Sequence, residues 1–423
     1  MNLADILKLA TLVIFMACYG LAISRKVKLA YIGIFSALFL LVILLPTDAP
    51  AAQQALNSVS WDVLGVYWGF MILSIVFSMS GVPEHLAKHV LRRTKNEGRA
   101  LLVICAMTAF LSSFLENVGV FLIMAPIAIE VAKKAKSSLF TYLVSIAISS
   151  NIVTTVTMIA DPPALILASK SGMGFLDFYW FQGRIGLGII SIVGALAGLA
   201  TLYFVNFRRM TKKVHITEDK VEANYLPTGL FVGGIITLAL NQHIGVGPGV
   251  IGLVVGAIAL LVGWRKVKTI VTDFDWNSFI FIFGIFIVVG AVGAVGILND
   301  FANVIGALGM NNPTITLILV TWISVAFSSF IDNVPWTVLM IPVCMSLANS
   351  MNVSAFPFMY GMLIGTGIGG NITPVGATAN VFACGMLEKR GYKVKIKEYM
   401  KISVPVSIVA VLVSYLLLQL FWM

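Results

Sequence analysis

The sequence has 423 residues, of which 59% are hydrophobic and 11% charged, and carries a formal net charge of +10 with a mean hydropathy of +0.98. Soluble domains carry about 25% charged residues, so this composition excludes an ordinary globular enzyme and specifies an all-α polytopic membrane protein. The basic residues lie in short clusters between apolar runs, as in membrane loops, so no nucleic-acid partner is expected.

A helix needs about 20 apolar residues to cross a bilayer. By that measure the first spans are 5–23, 29–46 and 61–80. The first has its basic cluster, Arg25, Lys26 and Lys28, after the apolar run, so it reads as a retained span and not a removed signal. Segment 82–97 is short and amphipathic; His85 and His89 on it suit a solvated interfacial face better than a metal site. His215 and His243 fall in the linker and a loop, and invite no role. The apolar run 100–132 is too long for one span and short for two. Arg92, Arg93, Lys95 and Arg99 precede it, and Lys133, Lys134 and Lys136 follow, so both ends lie on the cytoplasmic side. It should form a re-entrant hairpin with Glu116 and Asn117 at the tip. A broken span near 138–169 and a long span near 177–206 complete the first half. The second half gives spans near 226–241, 247–264 and 277–297, an apolar run at 313–349, a broken span near 355–387 and a last span near 402–422.

The two halves repeat. Ser112-Ser113-Phe114-Leu115-Glu116-Asn117-Val118 returns as Ser328-Ser329-Phe330-Ile331-Asp332-Asn333-Val334, 216 positions later, and Pro126 maps to Pro342 at the same offset. Basic clusters at 208–213, 265–268 and 389–397 fall inside; loops 47–60, 170–176, 242–246 and 298–312 hold one basic residue, Lys170, and fall outside. The expected architecture is ten transmembrane helices plus two re-entrant hairpins, with both termini outside. The domains are repeat 1–206, a cytoplasmic linker 207–225 and repeat 226–423. Five spans per half require opposite insertion, an inverted-topology repeat, which places ligands near the midplane between discontinuous helices.

The candidate chemistry sits at the hairpin tips and the breaks. Glu116, Asp161 and Asp332 are acids deep in apolar sequence with no deep Lys or Arg beside them, so they bind cations or hold protons. Asp161 precedes Pro162-Pro163, and the alternative is that it only caps the next helix. Ser113, Asn117, Ser329 and Asn333 lie beside the tip acids. Asn151, Thr155, Thr157, Asn371, Thr373, Thr378 and Asn380 lie at the breaks, where glycines and prolines free backbone carbonyls. Asn117, Asn151, Asn333 and Asn371 are the candidate Na⁺ ligands. The glycines alone also suit close helix packing, and the Asn and Thr clusters suit plain interhelical hydrogen bonds. The four cysteines (Cys18, Cys105, Cys344, Cys384) have no metal or disulfide spacing, and no hydrolase or phosphate-loop motif occurs. No cofactor is expected beyond Na⁺ or H⁺ as coupling ion.

The segments SSFLENVGVFLIMAPI, NIVTTVTMIADPP, SSFIDNVPWTVLMIPV and GIGGNITPVGATANV resemble the ion transporter superfamily, especially its arsenite permease, NhaD sodium–proton antiporter and P-protein branch, across nearly the whole chain. The first break departs from the family pattern: Val153 and Thr154 replace two glycines, Ala160 replaces Gly and Ala164 replaces Asn. The resemblance implies an inner-membrane secondary transporter and a homodimer. It implies a scaffold made of spans 5–80 and 226–297. Hairpins and broken helices within 100–206 and 313–423 would slide as an elevator. It also makes a cytoplasmic ATPase subunit a candidate partner, as for some arsenite permeases. The first functional expectation is arsenite or antimonite efflux, or Na⁺/H⁺ exchange. Na⁺-coupled uptake of citrate or a dicarboxylate ranks second, because a dianion meets Glu116 and Asp332, and like charges at ~4 Å cost about 4 kcal/mol at an effective dielectric of 20. An intramembrane aspartyl hydrolase would need both acids to share one water.

Overall fold

The computed structural model describes residues 3–24, 26–92, 94, 96–213, 223–309 and 312–423. Arg25, Arg93, Lys95, Asn311 and residues 214–222 of the expected linker, His215 among them, lie outside the described residues. In the first half the helices are α1 (Leu3–Ser24), α2 (Leu29–Thr47), α3 (Ala49–Asn57), α4 (Trp61–Ser78), α5 (Val82–Leu91), α6 (Glu97–Ser112), α7 (Asn117–Lys134), α8 (Leu139–Asn151), α9 (Pro162–Ser171) and α10 (Leu187–Leu202). The second half has α11 (Leu226–Ala239), α12 (Asn241–Ile244), α13 (Pro248–Val262), α14 (Val267–Asp273), α15 (Trp276–Ala294), α16 (Ile297–Leu308), α17 (Pro313–Ser328), α18 (Asn333–Met351), α19 (Phe356–Gly369), α20 (Thr378–Glu388) and α21 (Ile396–Trp422).

Among the described residues, seven helices are long and apolar enough to cross a membrane, or up to nine if each bent pair counts as one. The chain is therefore a multi-pass helical membrane protein. Helices on either side of a break fail that length test individually: α8 has 13 residues and α9 has 10. Two expected loops and the short amphipathic segment carry helices. Segment 47–60 contains α3, 82–97 contains α5, and 298–312 contains α16. The expected span at 177–206 starts only at Leu187, because residues before it form a small antiparallel pairing of Trp180–Phe181 with Arg184–Ile185. That pairing is fastened to the end of α21: Trp422 Nε1 donates to the Ile185 carbonyl at 2.8 Å.

The sequence repeat is a repeat of helices. α6 and α17 begin and end 216 positions apart, α7 and α18 begin 216 apart, and so do α9 and α20. Gly81 (φ 74°) and Gly296 (φ 82°) each stand in the left-handed region where the chain turns into α5 and α16, a conformation that costs glycine nothing. Corresponding helices also pack in corresponding pairs, α13 on α4 and α2 on α15. Glycine makes these seams. A Cβ on Gly249 would lie 2.7 Å from Asp62 Cα, and one on Gly284 would lie 2.9 Å from Gly33 Cα. Between apolar helices in lipid the attraction comes from such close backbone approach. Asp62 adds a polar fastening, accepting from the Gly249 N–H at 2.9 Å.

Candidate functional site

Each helix–turn–helix tip is made by its acid. Ser113 still has helical dihedrals, but Glu116 (φ −59°, ψ 135°) leaves the helical region and starts α7. Its Oε1 accepts from the Val118 N–H at 3.0 Å, and its Oε2 from the Gly119 N–H at 2.7 Å. Asp332 does the same for α18, accepting from the Val334 N–H at 3.2 Å. Both carboxylates therefore cap helices whose first N–H groups would otherwise lack partners in an apolar setting. Glu116 thus turns both its oxygens, and Asp332 its Oδ1, into their own helix ends.

Asp161 behaves in the opposite way. It is extended (φ −150°, ψ 142°) as a residue before proline must be, and its side chain makes no capping bond to α9. Its Oδ2 instead accepts from Asn333 Nδ2 at 3.4 Å, across to the other repeat. The single Ser328 hydroxyl proton faces two acceptors, Asn333 Oδ1 at 2.7 Å and the Thr366 carbonyl at 2.6 Å. So the reading of Asp161 as a simple cap is corrected: proline at positions 162 and 163 starts the helix, and the carboxylate is left for a cross-repeat contact.

The tips meet the breaks in the same way in both halves. Thr157 Oγ1 donates to the Ser113 carbonyl, and Thr373 Oγ1 donates to the Ser329 carbonyl, with 216 positions between the two bonds. A third contact joins the halves at the centre. Asn151 Nδ2 donates to both Asn371 Oδ1 and Asn380 Oδ1, each at 3.0 Å, while Asn380 Nδ2 satisfies the carbonyls of Gly370 and Thr373. Thr155 pairs with Ser191 at 2.7 Å. Thr378 is exposed in the first turn of α20 and stands apart from this buried group. Of the four asparagines named as Na⁺ ligands, Asn333 and Asn371 already use their side-chain oxygens as acceptors. Asn117 Oδ1 and the neighbouring Ser112 Oγ are buried without a hydrogen-bond partner among the described residues.

A cavity of about 30 Å³ lies at the first tip, lined by Tyr67, Ser74, Phe114, Glu116, Asp161 and Leu165 among others, with no Lys or Arg. That is room for a water or a monatomic ion. Tyr67 and Asp275 are additions that the sequence did not single out. Tyr67 stacks on Phe279 (6.3 Å between ring centres, 10°) and lies within electrostatic reach of Glu116, Asp161, Asp332 and Asp275. Asp275 starts α15, is held by the Ser278 N–H at 3.0 Å, and lies within reach of Glu116. In sequence Tyr67 is one aromatic in an apolar span, and Asp275 looks like a loop acid. Ser191 and Ser328 gave only the signal of a hydroxyl in an apolar run. Among the described residues no three His, Cys, Asp or Glu side chains converge in a way that could hold a metal ion.

Paired helix–turn–helix tips, interrupted helices and an acidic cavity at the first tip define a membrane transporter. Residues 19–365 match the family model described as citrate transporter, CitMHS; the chain belongs to that family. It is 25% identical over 418 residues to an uncharacterized transporter of Mycobacterium tuberculosis, a match covering 96% of this chain and 97% of that protein. The P protein of Mus musculus is 25% identical over 479 residues, covering 92% of this chain and 57% of the P protein. The crystal structure of the Alcanivorax borkumensis YdaH transporter shares the fold, with a TM-score of 0.57 at 14% identity, covering 90% of this chain and 88% of that one.

Proposed function

We propose that this protein is a cation-coupled secondary transporter of the cytoplasmic membrane, with ten spans and two re-entrant hairpins arranged as an inverted repeat. The hairpins and broken helices move as a unit against a scaffold formed by the first spans of each half, and the scaffold pairs two copies. One observation carries this reading: Glu116 and Asp161 share a small buried cavity with no basic side chain, at the contact between a hairpin tip and a break. Carboxylates so placed take a cation or a proton in each cycle. The partnerless oxygens of Asn117 and Ser112 support a coupling-ion position at the first tip. The second tip has Asn333 engaged with Ser328 and Asp161 instead.

The cargo that suits this electrostatic setting is a small inorganic cation or a neutral solute: Na⁺ exchanged for H⁺, or arsenite or antimonite exported. The family match favours a second reading, cation-coupled uptake of citrate or a dicarboxylate. A cavity of about 30 Å³ admits no such anion in this conformation, so a carboxylate would bind only after the tips separate. Proteoliposomes with an imposed pH gradient test the choice. Arsenite or Na⁺ flux that dissipates the gradient is the expected result. Uptake of labelled citrate or succinate, without those fluxes, would select the second reading. No gradient-linked flux of any of them would overturn the coupling assignment.

A further inference from the structure

A second cavity, about 660 Å³, opens far from the acids, where the end of α4 meets the start of α11 and the bend between α13 and α14. The two helices meet at 81°, and the turn between them presents Arg265 and Lys266 to the cavity. Neither takes part in an ion pair among the described residues. Across from them are Ser80 and Asn224, tied by the Asn224 N–H donating to the Ser80 carbonyl at 2.9 Å. The floor is apolar: Val76, Val262 and Ile270. Trp264, which lines the cavity, is 66% exposed, and two residues beside the lining ones in sequence, Leu261 and Tyr225, are 72% and 62% exposed.

We infer that this cavity binds the phosphate of an anionic phospholipid, with the acyl chains leaving over the Leu261–Trp264 rim. Two cations without an ion-pair partner among the described residues, in one cavity, call for an anion, and the guanidinium fork of Arg265 matches phosphate oxygens in pairs. The rim identifies the source. A dissolved phosphate gains nothing from exposed Leu and Trp, whereas a lipid buries its glycerol and first methylenes against them. Tyr and Trp also favour the depth at which headgroups meet hydrocarbon. Basic pockets between helices on the positively charged side of a membrane protein recognise lipid headgroups by this chemistry. The bound lipid fastens α4 and α13 to one leaflet.

The test uses the full chain in detergent, with phosphatidylglycerol and phosphatidylcholine as probes and native mass spectrometry as readout. Phosphatidylglycerol should be retained selectively. Arg265→Gln with Lys266→Gln should weaken retention about thirtyfold, since each cation near the surface contributes about 1 kcal/mol. A control pair of equal charge change on an exposed loop, Lys389→Gln with Lys393→Gln, should not weaken it. Equal retention by the cavity variant, or equal loss in the control, would overturn the proposal. Displacement of the lipid by millimolar inorganic phosphate would assign the site to a water-borne anion and also overturn it. If the cavity variant does not fold, a photoactivatable phosphatidylglycerol on the unaltered protein decides: adducts at 261–266 or 223–227 support the site, and adducts only elsewhere refute it.

Discussion

Asn151 is the buried point at which the two repeats are joined, and its removal should be measurable. The side chain is 2% exposed and donates to two acceptors of the other half, Asn371 Oδ1 and Asn380 Oδ1, at 3.0 Å each. Asn151→Ala deletes both bonds and leaves two acceptors unpaired in the interior. Side-chain hydrogen bonds between membrane helices average about 0.6 kcal/mol and reach about 1.7, because the separated helices also find partners in the bilayer. Both acceptors are fully buried here, so the upper part of that range applies and the expected loss is about 2–3 kcal/mol. Reversible unfolding in mixed micelles measures it. A double-mutant cycle with Asn371→Ala isolates the pair: the double variant should cost about 1 kcal/mol less than the sum of the singles. A loss below about 0.5 kcal/mol for Asn151→Ala, the ordinary scatter of neutral surface changes, would refute the central clamp, and so would strict additivity.

Four further outcomes follow from the same geometry. Asp332→Asn should abolish ion-coupled flux in proteoliposomes while the protein still folds, because Asn retains an oxygen to cap α18; flux equal to wild type would remove Asp332 from the site. Asp161→Asn should likewise uncouple transport, with a thermal stability change under about 1 kcal/mol, since one 3.4 Å bond to Asn333 is at stake. Gly69→Val should destabilise the α4–α13 seam by at least about 1–3 kcal/mol, as overpacking does, because Gly69 lies directly against the Gly252 backbone; unfolding in micelles would show it. Replacing Lys393, Lys395 and Lys397 with Gln should leave turnover unaltered. The Lys395–Glu398 pair is exposed on both sides, and such pairs contribute about 0.5 kcal/mol or less.

The resemblance to known transporters was readable because its carriers are local strings: SSFLENV, SSFIDNV and the glycine- and proline-rich breaks. So were the starts of α7, α9 and α18, since an acid at a helix start or a proline after an extended residue acts within a few positions. Other features depend on which distant helices touch. Whether Asp161 was a ligand or only capped its own helix was undecided in sequence, because both uses need the same residue before the same prolines; its contact with Asn333 belongs to the tertiary structure. Ser191 is one hydroxyl in the apolar α10, and only the packing of that helix brings it to Thr155.

The apolar runs, the buried acids and the 216-residue repeat came from the chain alone, for a physical reason. The bilayer imposes a cost on each residue separately, so hydropathy and charge are written position by position. The cross-repeat asparagine clamp, the pairing of α4 with α13, and the arrival of Tyr67 and Asp275 near the acids belong to the tertiary structure. Each depends on the distance between segments far apart in sequence, and that distance is set by glycine seams and shared hydrogen bonds, which no single stretch encodes.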